Sequence, residues 1–407
     1  MKKKETNKIL ILTQHFFPEH FQINEIACGL EEYGFEVDVL TAKPNYPYGK
    51  FFSGYGFFKN NFEIFNNINI YRVPIIPRGS NNFQLFFNYI SFIFFASIIG
   101  PLILRRKKYN VVLIYGTSPI FQAIPAFILR KFNICKSVVL WVQDLWPHTL
   151  QANNIIQSKT LLATLNIFVN LIYRLSDKIL VQSNFFKRHI PFRYLNKTFF
   201  QPNSYNDSVN NLFKRNIKLN PYFQKNKNVI DIVYTGNVGK FQSIDLLLET
   251  ASLLKNNSHF RFHVFGNGSL YDYYLSIKKK QKLKNVFFYG AVDSKIIPLI
   301  MKSADLLYLG LNKNICATGV IPNKLQVYLS SSTPIITNAT GYLKLMLKRN
   351  KSALFVSDFN SFYNILLSLK HKDDKWIKNI GARGKNFFKK KFSFDKVLKK
   401  LIYKLKN

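Results

Sequence analysis

Short apolar runs recur along the chain at intervals that a helix can fill. KILILT (8–13), VDVLT (37–41), NINIYRVP (67–74), YNVVLIYG (109–116), SVVLWVQD (137–144) and DKILVQS (177–183) read as strands. After the first of them, INEIACGLEEYGF (23–35) carries apolar residues at helical spacing and then stops at Gly34. Strands alternating with helical stretches predict parallel βαβ units. The pattern pauses in a polar stretch, SYNDSVNNLFKRNIKLNPYFQKNKN (204–228), and restarts. VIDIVYTG (229–236), FRFHVFG (260–266), NVFFYG (285–290), ADLLYLGL (304–311), TPIITN (333–338) and SALFVS (352–357) follow. The expected class is α/β, with two doubly wound parallel-sheet, Rossmann-like domains of ~150–200 residues, a normal domain size. The expected boundaries are an N-terminal domain at 1–205, a linker at 206–228, a second domain at 229–385 and a basic C-terminal helix at 386–407.

One segment departs from this pattern. FQLFFNYISFIFFASIIGPLIL (83–104) contains no charge and is followed by Arg105, Arg106, Lys107 and Lys108. As a helix it is ~33 Å long, enough to cross a bilayer. A single crossing conflicts with the strands on either side, which belong to one sheet. The expectation is a helix or helix pair lying in one leaflet or dipping and returning, with the basic cluster at the head groups. A long buried core helix is the plain alternative.

The formal charge is +37, from 58 Lys and Arg against 21 Asp and Glu. Such an excess raises nucleic-acid binding as a possibility. The positive residues form no single block or stripe, and no nucleic-acid motif is present. The chain is also rich in Asn, Phe, Ile and Tyr, which share AT-rich codons with Lys. Biased source composition and attraction to an anionic membrane both account for the charge. Cys28, Cys135 and Cys316 lie far apart without metal-ligand spacing and read as buried thiols. No secretory signal opens the sequence.

In open α/β sheets ligands bind beyond the carboxyl ends of the strands, so two such domains facing a cleft put functional residues just after strands. YTGNVGKFQSIDLLLETASLL (234–254) ends a strand at Gly236, places Gly239 and Lys240 in a short loop, and starts a helix near Ser243. A glycine for close approach, a lysine and a helix N-terminus suit a diphosphate, although a strand–Gly–helix turn is more often just a turn. ATGVIPNKLQVYLSSSTPII (317–336) offers a second such start, with Pro322 fitting the first helical position and Asn323 and Lys324 in the first turn. A lysine there opposes the helix dipole unless an anion is bound; the plain alternative is a solvated side chain. FGNGSL (265–270) supplies Gly266 and Asn267, in what is as well a plain turn. TQHFFPEHFQIN (13–24) contributes His15, Glu19 and Asn24, and KPNYPYGKFFSGYG (43–56) contributes Asn45 and Tyr46. WVQDLWPHTL (141–150) gathers Asp144, Trp146 and His148 at a strand exit.

Taken together, TQHFFPEHFQIN, LTAKPNYPYGKFFSGYG, LWVQDLWPHTL, DKILVQS, FFQPNSY, YTGNVGKFQ, VFGNGSL and IPNKLQVYL resemble the family-4 retaining glycosyltransferases of the GT-B fold. They most resemble the WbuB-like fucosamine transferases of bacterial surface-polysaccharide synthesis. The resemblance implies a sugar nucleotide held mainly by the C-terminal domain, an acceptor held by the N-terminal domain, and retention without an obligatory metal. Donor contacts then fall to Gly236, Asn237, Gly239, Gly266, Asn267 and Asn323. Lys240 and Lys324 are expected to stabilise the leaving diphosphate. Acceptor contacts fall to His15, Glu19, Asn24, Asn45, Tyr46, Trp146 and His148. Asp144 is expected to bind or deprotonate the acceptor hydroxyl; a helix cap by Asp144 beside a buried Trp is the plain alternative. The sequence departs from the wider family at Gly319 and Val327, where most members carry glutamates, and at Asn237, where an Arg is usual. His20, Phe21 and Gln22 also replace loop glycines.

The expected function is transfer of a sugar, of N-acetylated deoxyhexosamine type, from UDP to a polyprenyl-diphosphate-linked acceptor for O-antigen, capsule or another surface polysaccharide. The expected location is the cytoplasmic face of the inner membrane, peripheral or monotopic. No cofactor beyond the donor, no metal and no nucleic acid are expected. The alternatives are a sugar-nucleotide enzyme of the same fold that transfers nothing, such as an epimerase, and a polyanion-binding protein.

Overall fold

The computed structural model describes residues 7–79, 81–207, 222–369 and 374–407. Most of the polar stretch expected as a linker, residues 208–221, lies outside them, as do residues 1–6 of the basic start. The chain forms two compact units. One comprises residues 1–203 together with 398–407, the other residues 204–397.

The first unit is built on an eight-stranded sheet in the order β3-β4-β2-β1-β5-β6-β7-β8. The strands are β1 Lys8–Leu12, β2 Glu36–Ala42, β3 Phe62–Phe65, β4 Ile68–Val73, β5 Tyr109–Gly116, β6 Cys135–Val142, β7 Lys178–Val181 and β8 Thr198–Phe200. Its helices are α1 Gln22–Glu32, α2 Asn82–Leu104, α3 Ile124–Lys131, α4 His148–Ala152, α5 Lys159–Leu175 and α6 Asn184–His189. The central strands β1, β5 and β6 are buried over nearly all their length, as their unbroken apolar runs require of a sheet covered on both faces. Two strands were not anticipated. β3 pairs antiparallel with β4 through the turn Asn66-Asn67, both residues at positive φ, which suits a two-residue hairpin. β8 extends the far edge beside β7.

The apolar segment is one continuous helix, not a pair. Asn81 caps α2 by accepting the backbone N–H of Gln84 at 2.8 Å. Asn88, Phe92, Ala96, Gly100 and Leu104 form a buried stripe from the end of its second turn to its last residue, facing β2 and β4. A Cβ on Gly100 would stand 3.0 Å from Leu40 Cδ2, so the glycine sets how closely α2 approaches the sheet. Only a third of Phe83–Leu104 is buried. The opposite stripe, including Phe83, Phe86, Ile90, Phe94, Ile98 and Leu102, is exposed.

The second unit has an all-parallel sheet in the order β11-β10-β9-β12-β13-β14. The strands are β9 Ile230–Thr235, β10 Phe260–Phe265, β11 Val286–Gly290, β12 Leu306–Leu309, β13 Ile335–Thr337 and β14 Ala353–Phe355. The helix Ile244–Leu253 buries Ile244, Leu247, Leu248 and Ala251 on one side of this sheet. The helix Asn323–Ser331 buries Leu325, Tyr328 and Leu329 within the other apolar cluster. Near the start of the sheet, Asp231 accepts from Arg261 Nε at 2.7 Å and pairs with His263 Nε2 at 2.9 Å. Burial opposes its charge, but these partners hold its carboxyl below the ordinary range.

The basic end of the chain is two helices. Asp374–Lys391 runs through the boundary expected at 385, and Phe394–Lys406 follows it. From residue 398 onward the last helix belongs to the first unit. There Lys404 Nζ donates to the Phe200 carbonyl and to Gln201 Oε1, each at 2.6 Å, and Lys178 Nζ donates to the Lys404 carbonyl at 2.7 Å. Burial and the nearby Lys400 pull the Lys404 ammonium down to about 8.

Candidate functional site

In the second unit, β9 hands over to Gly236 at φ +122°, a backbone conformation open to glycine. A Cβ on Gly236 would lie 2.8 Å from Lys324 Cε. Lys324 comes from the first turn of Asn323–Ser331, where Pro322 occupies the N-cap just before the helix and not its first position. Its Nζ donates to Tyr234 Oη at 2.5 Å and lies 3.7 Å from the centre of that ring. The Tyr234 hydroxyl in turn donates to the Asn237 carbonyl. Among the described residues no carboxylate pairs with Lys324, and burial pulls its ammonium down to about 7. Tyr234 was read as an ordinary strand residue; its only signal is a position two residues before the strand-exit glycine.

The neighbouring loops lock together. Val238 N–H donates to the Asn267 carbonyl at 2.9 Å, and Leu270 N–H donates to the Val238 carbonyl at 3.0 Å. Gln242 Oε1 accepts from Gly239 N–H at 3.1 Å and Asn237 Nδ2 at 3.3 Å. Gly266 sits at φ +126°, and a Cβ there would fall 1.9 Å from the Gly236 carbonyl oxygen. The structure therefore brings Gly236, Asn237, Gly239, Gly266, Asn267 and Lys324 into one constellation, with Asn323 at the helix start. Lys240 belongs to the same loop but is exposed, its carbonyl accepting from Asn312 Nδ2 at 3.3 Å. Of the departures noted above, the two at positions where glutamates are usual carry no polar side chain: Gly319 takes φ +66°, and Val327 packs at the edge of the core.

In the first unit, Asp144 follows β6. Its Oδ2 accepts from Ser118 N–H at 3.1 Å and Ser118 Oγ at 2.8 Å. Trp146 Nε1 donates to the same Ser118 Oγ at 3.0 Å. Burial raises the Asp144 carboxyl above the ordinary range, with the Ser118 bonds opposing the rise. Asp144 does not cap a helix; Pro147 is the N-cap of α4 and no side chain bonds to it. Ser118, which lies after β5, was not anticipated, because it meets Asp144 only through the pairing of β5 with β6.

The remaining residues divide by environment. Glu19 is buried with both oxygens committed: Oε2 holds His15 Nδ1 at 2.7 Å, and Oε1 accepts from the N–H groups of Asn45 at 2.7 Å and Tyr46 at 2.6 Å. Asn24 Nδ2 donates to the Glu19 carbonyl at 2.7 Å. Asn45 is buried; its Oδ1 accepts from Arg78 N–H at 3.0 Å and Asn88 Nδ2 at 3.3 Å. These groups tie the loops after β1 and β2 to the start of α2. Tyr46 remains partly exposed beside the His15 and Phe21 rings, with the Arg78 guanidinium over its face. His148 packs instead with His189 and Phe185 of α6. Cis peptide bonds precede Pro18, Pro47, Pro119 and Pro147, one in each of the loops after β1, β2, β5 and β6.

Chemically, the second unit offers a buried ammonium, a glycine-lined approach and a helix N-terminus, a combination suited to a phosphorylated ligand. The first unit offers a carboxyl and an indole that share the Ser118 hydroxyl. Among the described residues, no group of three or more His, Cys, Asp or Glu side chains could hold a metal ion.

Residues 230–371 match the family model described as "Glycosyl transferases group 1". No curated protein matches the chain in sequence. Solved structures match over nearly its whole length. The E. coli trehalose-6-phosphate protein bound with UDP-2-fluoro glucose is 12% identical, with a TM-score of 0.72, covering 98% of this chain and 99% of that one. Sucrose-phosphate synthase from Thermosynechococcus elongatus is 14% identical, with a TM-score of 0.67 and 97% of each chain covered. Anabaena HepE in complex with UDP is 12% identical, with a TM-score of 0.65, covering 98% of this chain and 99% of that one. At such identities the likeness concerns the fold, and the chain has the GT-B fold: two doubly wound, largely parallel α/β units, the second carrying the group 1 glycosyl transferase match.

Proposed function

We propose that the protein is a retaining glycosyltransferase that moves a sugar from UDP to a lipid-linked glycan acceptor in surface-polysaccharide synthesis. The observation that carries the reading is the Lys324–Tyr234–Gly236 constellation: a lysine without a carboxylate partner among the described residues, held at a helix start beside a glycine turn, within the segment matching the glycosyl transferase model. Neighbours of this fold bind UDP, UDP-glucose or UDP-2-fluoro glucose, which supports the donor class.

In this reading the bond from the anomeric carbon to the diphosphate oxygen breaks, and its electron pair leaves with UDP. Lys324, protonated when the diphosphate is bound, stabilises that charge together with the helix N-terminus and the exposed Lys240. The acceptor oxygen bonds to the anomeric carbon, and its proton passes to Asp144, whose carboxylate burial makes more basic than an exposed one. Trp146 and Tyr46 offer aromatic faces to the acceptor. The residues named here do the work without a metal.

Membrane association is part of the proposal, at the cytoplasmic face of the inner membrane. It is supported by the exposed apolar stripe of α2, which runs parallel to its buried stripe and ends at Arg105 and Arg106. A helix seated on the sheet from Asn88 to Leu104 presents that stripe in the plane of a leaflet and does not span it. The test is transfer of radiolabel from UDP-sugars into a lipid extract, with the product anomer read by NMR. Failure with every donor overturns the reading.

A further inference from the structure

A second helix carries an apolar surface of the same kind. α5 reads KTLLATLNIFVNLIYRL and contains no acidic residue. Val169, Ile172 and Tyr173 bury one side of it. The other side leaves Leu161, Ile167, Phe168 and Leu171 in the open, Ile167 at 69% and Phe168 at 51% exposure. A solvated helix face is expected to be polar. Lys159 and Arg174 stand at its two ends, the placement of cations flanking an apolar face at a lipid surface.

The topology puts this surface on the same side of the sheet as α2. The steps β4 to β5, β5 to β6 and β6 to β7 all move the same way along the sheet. Right-handed crossovers therefore place α2, α3 and α5 on one face. The short 3₁₀ turn Ile120–Ala123 touches all three helices and fills the floor between α2 and α5. Its Phe121 meets Phe168 of α5 at 6.3 Å between ring centres and Trp146 at 5.6 Å, both edge-on. Trp146 bonds Ser118, which bonds Asp144. An apolar path thus leads from the open side of α5 to the edge of the candidate acceptor site.

We propose that α5 is a second lipid-embedded element, that α2 and α5 together form one surface for an anionic bilayer leaflet, and that the Phe121–Trp146 floor between them lies at the lipid interface. This rests on the membrane reading above. The charge pattern favours a leaflet over a protein partner: Arg105, Arg106, Lys159 and Arg174 flank the apolar stripes, and no acidic residue falls within either helix.

The test uses the full chain with vesicles of phosphatidylcholine containing 30% phosphatidylglycerol, the choline lipid brominated along its acyl chains. Trp376 is first replaced in W376F, since it is exposed on the second unit, whereas Trp141 is buried in β6. Bromolipid is expected to quench Trp146 fluorescence. The double variant I167E/F168E should weaken vesicle binding by roughly tenfold or more, as loss of two inserted apolar side chains implies, and should remove the quenching. Leu161→Glu, in the first turn of α5 where a carboxylate suits the helix dipole, should act in the same direction without unfolding risk. Far-ultraviolet circular dichroism and the thermal melting point should be unchanged in all three variants, which shows that the first unit is folded, and UDP-glucose affinity should be unchanged because the donor constellation lies in the second unit. If wild-type protein binds vesicles but the α5 variants bind equally and Trp146 is not quenched, the two-helix surface is wrong while α2 remains an anchor. If wild-type protein does not bind vesicles, or instead forms a concentration-dependent dimer that the α5 variants abolish, the membrane reading itself fails.

Discussion

Lys324 gives donor binding a pH dependence that can be worked out in advance. In the free protein burial sets its pKa to about 7, and a bound diphosphate brings the opposite charge that raises it. The donor then binds the protonated form, so affinity follows the protonated fraction of the free protein. That fraction is about nine tenths at pH 6 and about one tenth at pH 8, for a group with an ordinary Henderson–Hasselbalch titration. UDP-glucose should therefore bind about tenfold more weakly at pH 8 than at pH 6, and binding should take up a proton near neutrality. UDP-glucose is the proper probe because its diphosphate has no terminal group titrating in this window. In K324M the slope should vanish. Affinity at pH 6 should fall by about 10- to 150-fold, the worth of a charged hydrogen bond of about 1.5–3 kcal/mol. Calorimetry at constant ionic strength, repeated in buffers of different ionisation enthalpy, measures both the affinity and the proton. A flat profile from pH 6 to 8 in the wild type, or an unchanged slope in K324M, would refute the assignment of Lys324 to the diphosphate.

D144N should lower turnover by about 10²–10⁴-fold while leaving UDP-glucose affinity intact, since general-base catalysis is typically worth that much; equal turnover removes Asp144 from the chemistry. S118A takes away the Oγ bond that helps hold the Asp144 pKa down and leaves the backbone N–H bond, so the acid limb of the pH–rate profile should move to higher pH, and a shift the other way contradicts the geometry. G266A should destabilise the second unit by about 1–3 kcal/mol or more through strain alone, because its Cβ would strike the Gly236 carbonyl; thermal melting checks it, and an unchanged melting point argues against the close approach. E19A leaves two loop N–H groups without their acceptor and should cost about 1–3 kcal/mol for each buried group left unpaired, read by urea denaturation.

Some of this was legible in the sequence, and the reasons are physical. Strands such as SVVLWV announce themselves because a parallel strand covered on both faces has no polar positions to confuse the pattern. Lys324 stood out because a lysine in a helix's first turn opposes the dipole, a local conflict visible in five residues. Other features depend on contacts remote in sequence. Phe62–Phe65 is short and alternates between exposed and half-buried, so only its pairing with β4 makes it a strand. Glu19 and Asn45 looked like ligand contacts because polar residues at strand exits usually are open to solvent. Their bonds to Tyr46, Arg78 and Asn88 bring three distant segments together, and no spacing rule reports that. Tyr234 was hidden inside an apolar run. The open side of α5 was hidden for the opposite reason: LLATLNIFVNLIYRL is apolar on most sides, and periodicity alone does not say which side the sheet covers.

The grip of Lys404 on Phe200 and Gln201 joins positions 204 and 203 residues apart. On a ribosome adding about 5–20 residues per second, the first unit waits some 10–40 seconds between completing β8 and receiving that clasp. During the wait the Phe200 carbonyl at the edge strand β8 lacks its lysine donor. The first unit is therefore completed only after the whole of the second has been synthesised.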